Sequence, residues 1–142
     1  MRGRPEMNPE AKILVIDDDP DLVEALKMIL QTGSYRVVFA FDGEEGLKRV
    51  KEENPDLIIL DLLLPKESGD VLCRELKTDP RYANIPILVL TAVAEKMSNK
   101  LFPKHRMKSL PADDYVDKPV QPQDLLGRVD RLLVRSKEGE KI

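Results

Sequence analysis

The sequence has 142 residues, of which 42% are hydrophobic and 35% charged, and its formal net charge is −3 at pH 7. This length allows one domain with a substantial core, and the weakly negative charge gives no basic field that would favour nucleic acid. The single cysteine excludes an internal disulfide bond and fits a cytoplasmic location, and no apolar stretch approaches the roughly 20 residues that span a bilayer.

The first predicted strand, residues 12–16, is an apolar run that leads directly into an acidic loop. Asp19 can cap a helix whose first residue is Pro20, and apolar side chains then recur at helical spacing as far as Gly33. The acidic loop consists of Asp17, Asp18 and Asp19.

The second and third predicted strands are residues 35–40 and 56–61, with a helix between them that Asn54 and Pro55 stop. Asp61 stands at the end of the third strand, and no neighbour in that apolar run neutralises it. Because a carboxylate is costly in a dry site, Asp61 should emerge at the strand end beside a cation or a reaction partner.

The fourth strand, residues 85–91, follows a helix that Ser68 can cap, and it ends in Thr91. The fifth strand, residues 114–117, leads to Lys118. A last helix begins near Pro122 and carries apolar side chains at helical spacing.

Strand and helix patterns thus alternate five times, which predicts a doubly wound (βα)5 domain of the α/β class with a parallel sheet. The domain should occupy residues 11–135. We expect residues 1–10 to form a disordered arm and residues 136–142 to form a charged, frayed tail.

Carboxylates, a hydroxyl and an ammonium all follow predicted strand ends, where open α/β sheets bind ligands. Asp17, Asp18 and Asp61 would repel one another unless a cation joined them, and Mg²⁺ is the hard, oxygen-binding ion that fits best. Thr91 and Lys118 would add a hydroxyl donor and a positive charge, which a transferred phosphoryl group requires. One histidine and one cysteine cannot build a zinc site.

These segments together resemble the receiver domain of two-component response regulators. The resemblance covers residues 11–135 and implies a flavodoxin-like strand order of 2-1-3-4-5. Four motifs carry it: residues 13–19 (ILVIDDD), Asp61 with Leu64, Pro65 and Gly69, residues 88–92 (LVLTA), and residues 113–119 (DDYVDKP).

The resemblance implies a role for each matching residue. Asp61 would be the phosphoacceptor. Asp18 and Asp61 would bind Mg²⁺ directly, Asp17 would act mainly through water, and the Leu63 backbone carbonyl would complete the protein ligands.

Three further positions would serve the phosphoryl group and the switch. Thr91 would donate a hydrogen bond to the phosphoryl group, and Lys118 would form an ion pair with it. Tyr115 falls at the aromatic switch position of the family, so its side chain would turn inward when Thr91 moves toward the phosphoryl group. Phosphorylation would thereby shift the relative populations of two arrangements of one loop.

The implied partners are a sensor histidine kinase or phosphotransfer protein, and a downstream protein bound through the face of the fourth helix, fifth strand and fifth helix. A second copy of the chain is a further possible partner, because the sequence leaves open whether phosphorylation causes a homodimer to form. We expect no direct DNA binding, because no helix-turn-helix segment follows the receiver, and no membrane association.

The segment between Thr91 and Lys118 departs from the family pattern, because it is longer and Pro103 would break a single helix. Its lysines recur every four residues, which is typical either of a solvated face or of a basic patch that meets an acidic partner. They are Lys96, Lys100, Lys104 and Lys108.

Two alternatives to a working receiver stay open. The first is a haloacid-dehalogenase-like phosphatase with Asp17 as its nucleophile, Thr91 as its second motif and Asp113-Asp114 as its last acidic pair, although that pair precedes the final strand. The second is a degenerate receiver that acts only as a binding module, although none of the family's site residues is missing.

Overall fold

The computed structural model describes residues 11–62, 64, 66, 68–91 and 110–140, with side chains at all of these except 91 and 137–140. The predicted arm at residues 1–10, the Leu63 carbonyl, and the basic segment with Pro103 lie outside the described residues. The predicted fourth helix lies outside them as well.

The described elements alternate between strand and helix as far as the fourth strand, as the sequence predicts, and a fifth strand and a last helix follow the residues that the structure does not describe. The described elements are β1 (Lys12–Ile16), α1 (Pro20–Thr32), β2 (Arg36–Ala40), α2 (Gly43–Glu53), β3 (Leu57–Leu60), α3 (Gly69–Thr78), β4 (Ile87–Thr91), β5 (Asp114–Asp117) and a final helix (Pro122–Glu140).

The five strands form one parallel sheet in the order β2-β1-β3-β4-β5, which confirms the predicted fold class and strand order. Ile16 pairs with Leu60 and Thr91 pairs with Asp117, so β1, β3, β4 and β5 all end at the same sheet edge. We call this edge the carboxyl edge. The acidic loop, Asp61 and Lys118 directly follow strands there.

The core consists of two layers, because successive side chains of a strand point to opposite faces of the sheet. Ile13 and Val15 of β1 pack with α1 and the final helix. Leu14 and Ile16 pack on the other face with α2 and α3. The central strands are therefore buried on both sides, as is usual for parallel sheets.

The helix ends follow the predicted capping pattern, with one exception. Asp19 accepts hydrogen bonds from the backbone N–H groups of Asp21 and Leu22, Pro20 is the first residue of α1, and Gly33 closes that helix. Ser68 occupies the N-cap position of α3 but makes no capping bond to the backbone. Its hydroxyl donates instead to the Asp70 carboxylate.

The final helix extends through Glu140, whereas the sequence predicts a frayed tail from residue 136. Val129, Leu132 and Leu133 anchor it to the core. The residues that follow include Arg135, Lys137 and Glu138, which are good helix formers, and no proline, so the helix continues past its last buried residue. Within the described residues, no helix has both the length and the apolar character needed to cross a bilayer.

Candidate functional site

Two buried carboxylates meet at the carboxyl edge. The Asp17 N–H donates to the Ala40 carbonyl at 3.1 Å, and the Asp61 N–H donates to the Ile16 carbonyl at 3.0 Å. These bonds fix both aspartates at the strand ends, where each keeps only 2% of its surface exposed. Asp18, between β1 and α1, is exposed.

The ammonium group of Lys118 lies between the two buried carboxylates. Its Nζ is 3.1 Å from Asp17 Oδ2 and 3.4 Å from Asp61 Oδ2. One carboxylate oxygen from each of Asp17, Asp18 and Asp61 lies within 4.8 Å of the others. The structure therefore brings together four of the residues that the sequence points to, in an arrangement of three negative charges and one positive charge.

One buried oxygen of Asp17 has a single partner among the described residues. The Asp17 Oδ1 atom accepts from the Asp19 N–H at 3.0 Å, whereas Oδ2 has only the Lys118 ammonium, 3.1 Å away. Burial is the main cause that raises the pKa of Asp17, and the neighbouring Asp61 charge adds to it. An oxygen-binding cation would satisfy this atom and relieve the repulsion, so the donor set fits Mg²⁺.

Lys118 is held in its charged form by these neighbours. Burial alone would lower the pKa of Lys118, but the carboxylates of Asp61 and Asp17 outweigh that effect and the pKa is raised. A permanent ammonium beside Asp61 can stabilise negative charge that arrives there.

Gly69 shapes the loop after Asp61, and the motif pattern alone gave no physical reason for a glycine there. A Cβ atom added at Gly69 would lie 2.1 Å from the Asp61 carbonyl oxygen and 2.6 Å from the Leu62 Cα. The Gly69 N–H donates to the Leu62 carbonyl at 2.8 Å. The start of α3 thus packs directly on the backbone that carries Asp61, and only glycine leaves room for this contact.

The structure describes only part of what was predicted for Thr91 and Leu63. Thr91 ends β4 opposite Asp117, which puts its backbone at the carboxyl edge, and its side chain lies outside the described residues. Leu63 also lies outside them. Their proposed roles stay predictions.

Tyr115 lies on β5 with 38% of its surface exposed. Its hydroxyl donates to the Leu110 carbonyl at 2.7 Å, and partial burial raises the pKa of Tyr115. The side chain therefore faces outward over the end of the segment that precedes β5, and its role as a switch stays a prediction.

The arrangement does not support the phosphatase alternative. Asp113 accepts from the Ile87 N–H at 2.8 Å, and Asp114 pairs with Arg128 at 2.8 Å. Ile87 is the first residue of β4, so this acidic pair lies at the opposite edge of the sheet from Asp17. It cannot complete an active site around an Asp17 nucleophile.

Comparison with known proteins identifies the family. A family model described as "Response regulator receiver domain" matches residues 13–130. The chain is 42% identical over 125 residues to the alkaline phosphatase synthesis transcriptional regulatory protein PhoP of Bacillus subtilis. The aligned region covers 88% of this chain and 49% of PhoP. It is 37% identical over 127 residues to hybrid signal transduction histidine kinase D of Dictyostelium discoideum, covering 88% of this chain and 8% of that protein.

Solved structures agree with this match. Chemotaxis response regulator CheY4 of Vibrio cholerae superposes with a TM-score of 0.75 at 28% identity, covering 87% of this chain and 98% of CheY4. The BeF3-activated N-terminal receiver domain of Klebsiella pneumoniae RstA superposes with a TM-score of 0.72 at 30% identity. This match covers 86% of this chain and 97% of the RstA domain. The chain spans about half the length of the curated response regulators it matches. It belongs to the response regulator receiver domain family, the phosphorylatable module of two-component signal transduction.

Proposed function

We propose that Asp61 accepts the phosphoryl group and that Mg²⁺ is required for the transfer. The observation that carries this proposal is the Lys118 ammonium beside Asp61, within a cluster of three carboxylates whose buried Asp17 oxygen has only Lys118 as a partner among the described residues. A single cation at the acidic cluster would satisfy that oxygen and prepare the site for an anionic donor.

In the proposed reaction, an Asp61 carboxylate oxygen attacks phosphorus and forms the acyl phosphate bond. The bond between phosphorus and the donor's leaving atom breaks, and the leaving group takes the electron pair. Lys118, 3.4 Å from Asp61, would pair with the transferred group, and Thr91 would donate a hydrogen bond to it. The residues position and stabilise charge, which is the main protein contribution to phosphoryl transfer.

Asp17, Asp18, Asp61 and the Leu63 carbonyl would hold the Mg²⁺ ion. When bound, the ion neutralises part of the carboxylate charge and of the phosphoryl charge. We propose that the chain catalyses no reaction on other substrates, so that its chemistry is limited to its own phosphorylation and dephosphorylation.

The proposed phosphodonor is a sensor histidine kinase or a phosphotransfer protein in the cytoplasm. Phosphorylation would shift the relative populations of two arrangements of one face of the domain, with Tyr115 as the switch. This face is formed by β5, the final helix and the segment between β4 and β5. A downstream protein, or a second copy of the chain, would bind that face. We propose no direct contact with DNA for this chain.

The test is phosphorylation by acetyl phosphate, measured by intact mass with Mg²⁺ and with a chelator. The wild-type protein should gain one phosphoryl group only with Mg²⁺, and Asp61→Asn should gain none. Asp56→Asn is the matched control, because Asp56 lies at the opposite end of the same strand and accepts from the Lys12 N–H at 2.7 Å. An unmodified wild-type protein would refute the proposal and favour a receiver that only binds.

A further inference from the structure

A lysine near the end of α3 has all its donors engaged in a network that reaches Asp113, directly before the strand that leads to Lys118. Lys77, in the last turn of α3, keeps only 14% of its side chain exposed. Its Nζ donates to the carbonyls of Ala83 at 3.2 Å and Ile85 at 2.9 Å, and lies 2.8 Å from Asp113 Oδ2. An ammonium has three hydrogens, so these three acceptors satisfy it.

Asp113 connects this lysine to two strands. The same Oδ2 atom accepts from the Ile87 N–H at 2.8 Å, and the Asp113 N–H donates to the Ile87 carbonyl at 2.9 Å. Asp113 therefore holds the first residue of β4 with both its backbone and its side chain, directly before β5 begins. We call Lys77 and Asp113 the clamp.

The position of β5 depends on such side-chain anchors more than that of β1 does. Among the described strands β5 pairs with β4 alone, whereas β1 is paired on both sides. β5 has four residues, and Lys118 follows its last residue. A change in the register or tilt of β5 at Asp113 would therefore move Lys118 relative to Asp61.

Helix α3 contacts the reaction site at its other end. Its first residue, Gly69, donates to the Leu62 carbonyl at 2.8 Å and packs against the backbone of Asp61. The start of this helix thus touches the backbone that carries Asp61. Near its end, Lys77 holds Asp113, directly before the strand that leads to Lys118.

We propose that Lys77 and Asp113 are positioning residues for phosphoryl transfer. The clamp and α3 together keep the Lys118 ammonium at its place beside Asp61. This inference rests on the proposed function, because it concerns the transfer to Asp61. The clamp acts through Lys118 and touches none of the reacting groups.

The test is a double-mutant cycle on the rate of Asp61 phosphorylation at limiting acetyl phosphate with Mg²⁺. Lys77→Met and Asp113→Asn should each slow the reaction about tenfold, because small displacements of a positioned group are costly. In a Lys118→Ala background the same changes should alter the rate less than about twofold, since the group they misplace is gone. Lys77→Arg, which keeps the charge, should restore most of the rate.

Lys12→Met is the matched control. Lys12 also joins a strand to a helix end, by donating to the Glu53 carbonyl at 3.2 Å and pairing with the Glu53 carboxylate at 3.0 Å, but its strand is held on both sides. We expect Lys12→Met to leave the rate of Asp61 phosphorylation unchanged. Rates are measured at a temperature at which thermal melting shows every variant to be folded.

A direct readout of Lys118 accompanies the kinetics. The NMR shift of the Lys118 CεH2 group, assigned with Lys118→Ala, should move in Lys77→Met and stay in place in Lys12→Met. An unchanged shift, equal slowing in both backgrounds, or equal slowing by Lys12→Met would overturn the positioning role. A wild-type protein without a phosphoryl group on Asp61 would instead refute the proposed function on which the inference rests.

Discussion

Among single residues, the site brings like charges together in a buried position. Asp17 and Asp61 are each 98% buried, and the Lys118 ammonium provides their nearby positive charge. The sequence predicts this convergence, because the ends of parallel strands share one edge. It does not predict that one Asp17 oxygen has Lys118 as its only partner in the described part of the chain, which depends on the positions of side chains from separate strands.

Removing the Asp17 charge should stabilise the metal-free protein. Asp17→Asn takes away a charge that burial and the neighbouring Asp61 disfavour more than Lys118 stabilises it, so we expect the free energy of unfolding to rise by about 1–2 kcal/mol. Mg²⁺ should raise the melting temperature of the wild-type protein and have little effect on the variant. Chemical denaturation with and without Mg²⁺ measures both effects. A variant less stable than wild type without Mg²⁺ would contradict the account.

Cys73 should report on unfolding. Burial raises the pKa of the Cys73 thiol to about 11, and its side chain is inaccessible. The reactive thiolate is therefore scarce in the folded protein at neutral pH, and its native pKa lies above the unfolded value. Reaction with a thiol reagent should be slow in buffer and fast in urea, and stability should fall as pH rises above about 9. Rapid labelling of the folded protein would be the contrary result.

At the scale of elements, local sequence signals account for most helix boundaries. Asp19, Pro20 and Gly33 bound α1 as their residue types predict, and Asn54 ends α2 in the left-handed region with φ 48°. Ser68 is the instructive exception, since its hydroxyl bonds to Asp70 rather than to the helix backbone. A cap is predictable from residue type, but its partner is chosen by competing groups nearby.

Two glycines should respond oppositely to alanine. Gly69→Ala would force a Cβ atom against the Asp61 carbonyl, so we expect it to destabilise the fold by about 1–3 kcal/mol through overpacking and to slow phosphorylation. Gly127→Ala is the control: its Cβ would meet only Arg131 Nη1 at 3.6 Å within the final helix. That change should stabilise the protein by about 0.5–1 kcal/mol and leave phosphorylation unaffected.

Urea denaturation and intact-mass phosphorylation of the two variants measure these effects. Equal stability of Gly69→Ala and wild type would show that the start of α3 can move away from β3 without cost. The close contact would then be no constraint on the position of Asp61.

At the scale of the whole molecule, alternation of strand and helix patterns was sufficient to predict the parallel sheet and its class. The contacts that tie the elements together were not predictable in this way. Lys77 and Asp113 are distant in the sequence and meet only because α3 and β5 both adjoin β4, and the Tyr35 hydroxyl reaches Asp130 of the final helix from the start of β2. Such pairs have no local pattern and depend on the assembled fold.

Chemical mapping of the acyl phosphate tests whether Asp61 is the phosphoacceptor. The protein is incubated with acetyl phosphate and Mg²⁺, and borohydride then reduces the acyl phosphate to homoserine. Peptide mass spectrometry locates the converted residue. We predict conversion at position 61 alone, and none after treatment without Mg²⁺. Conversion at position 17 or 18, with position 61 unchanged, would contradict the account.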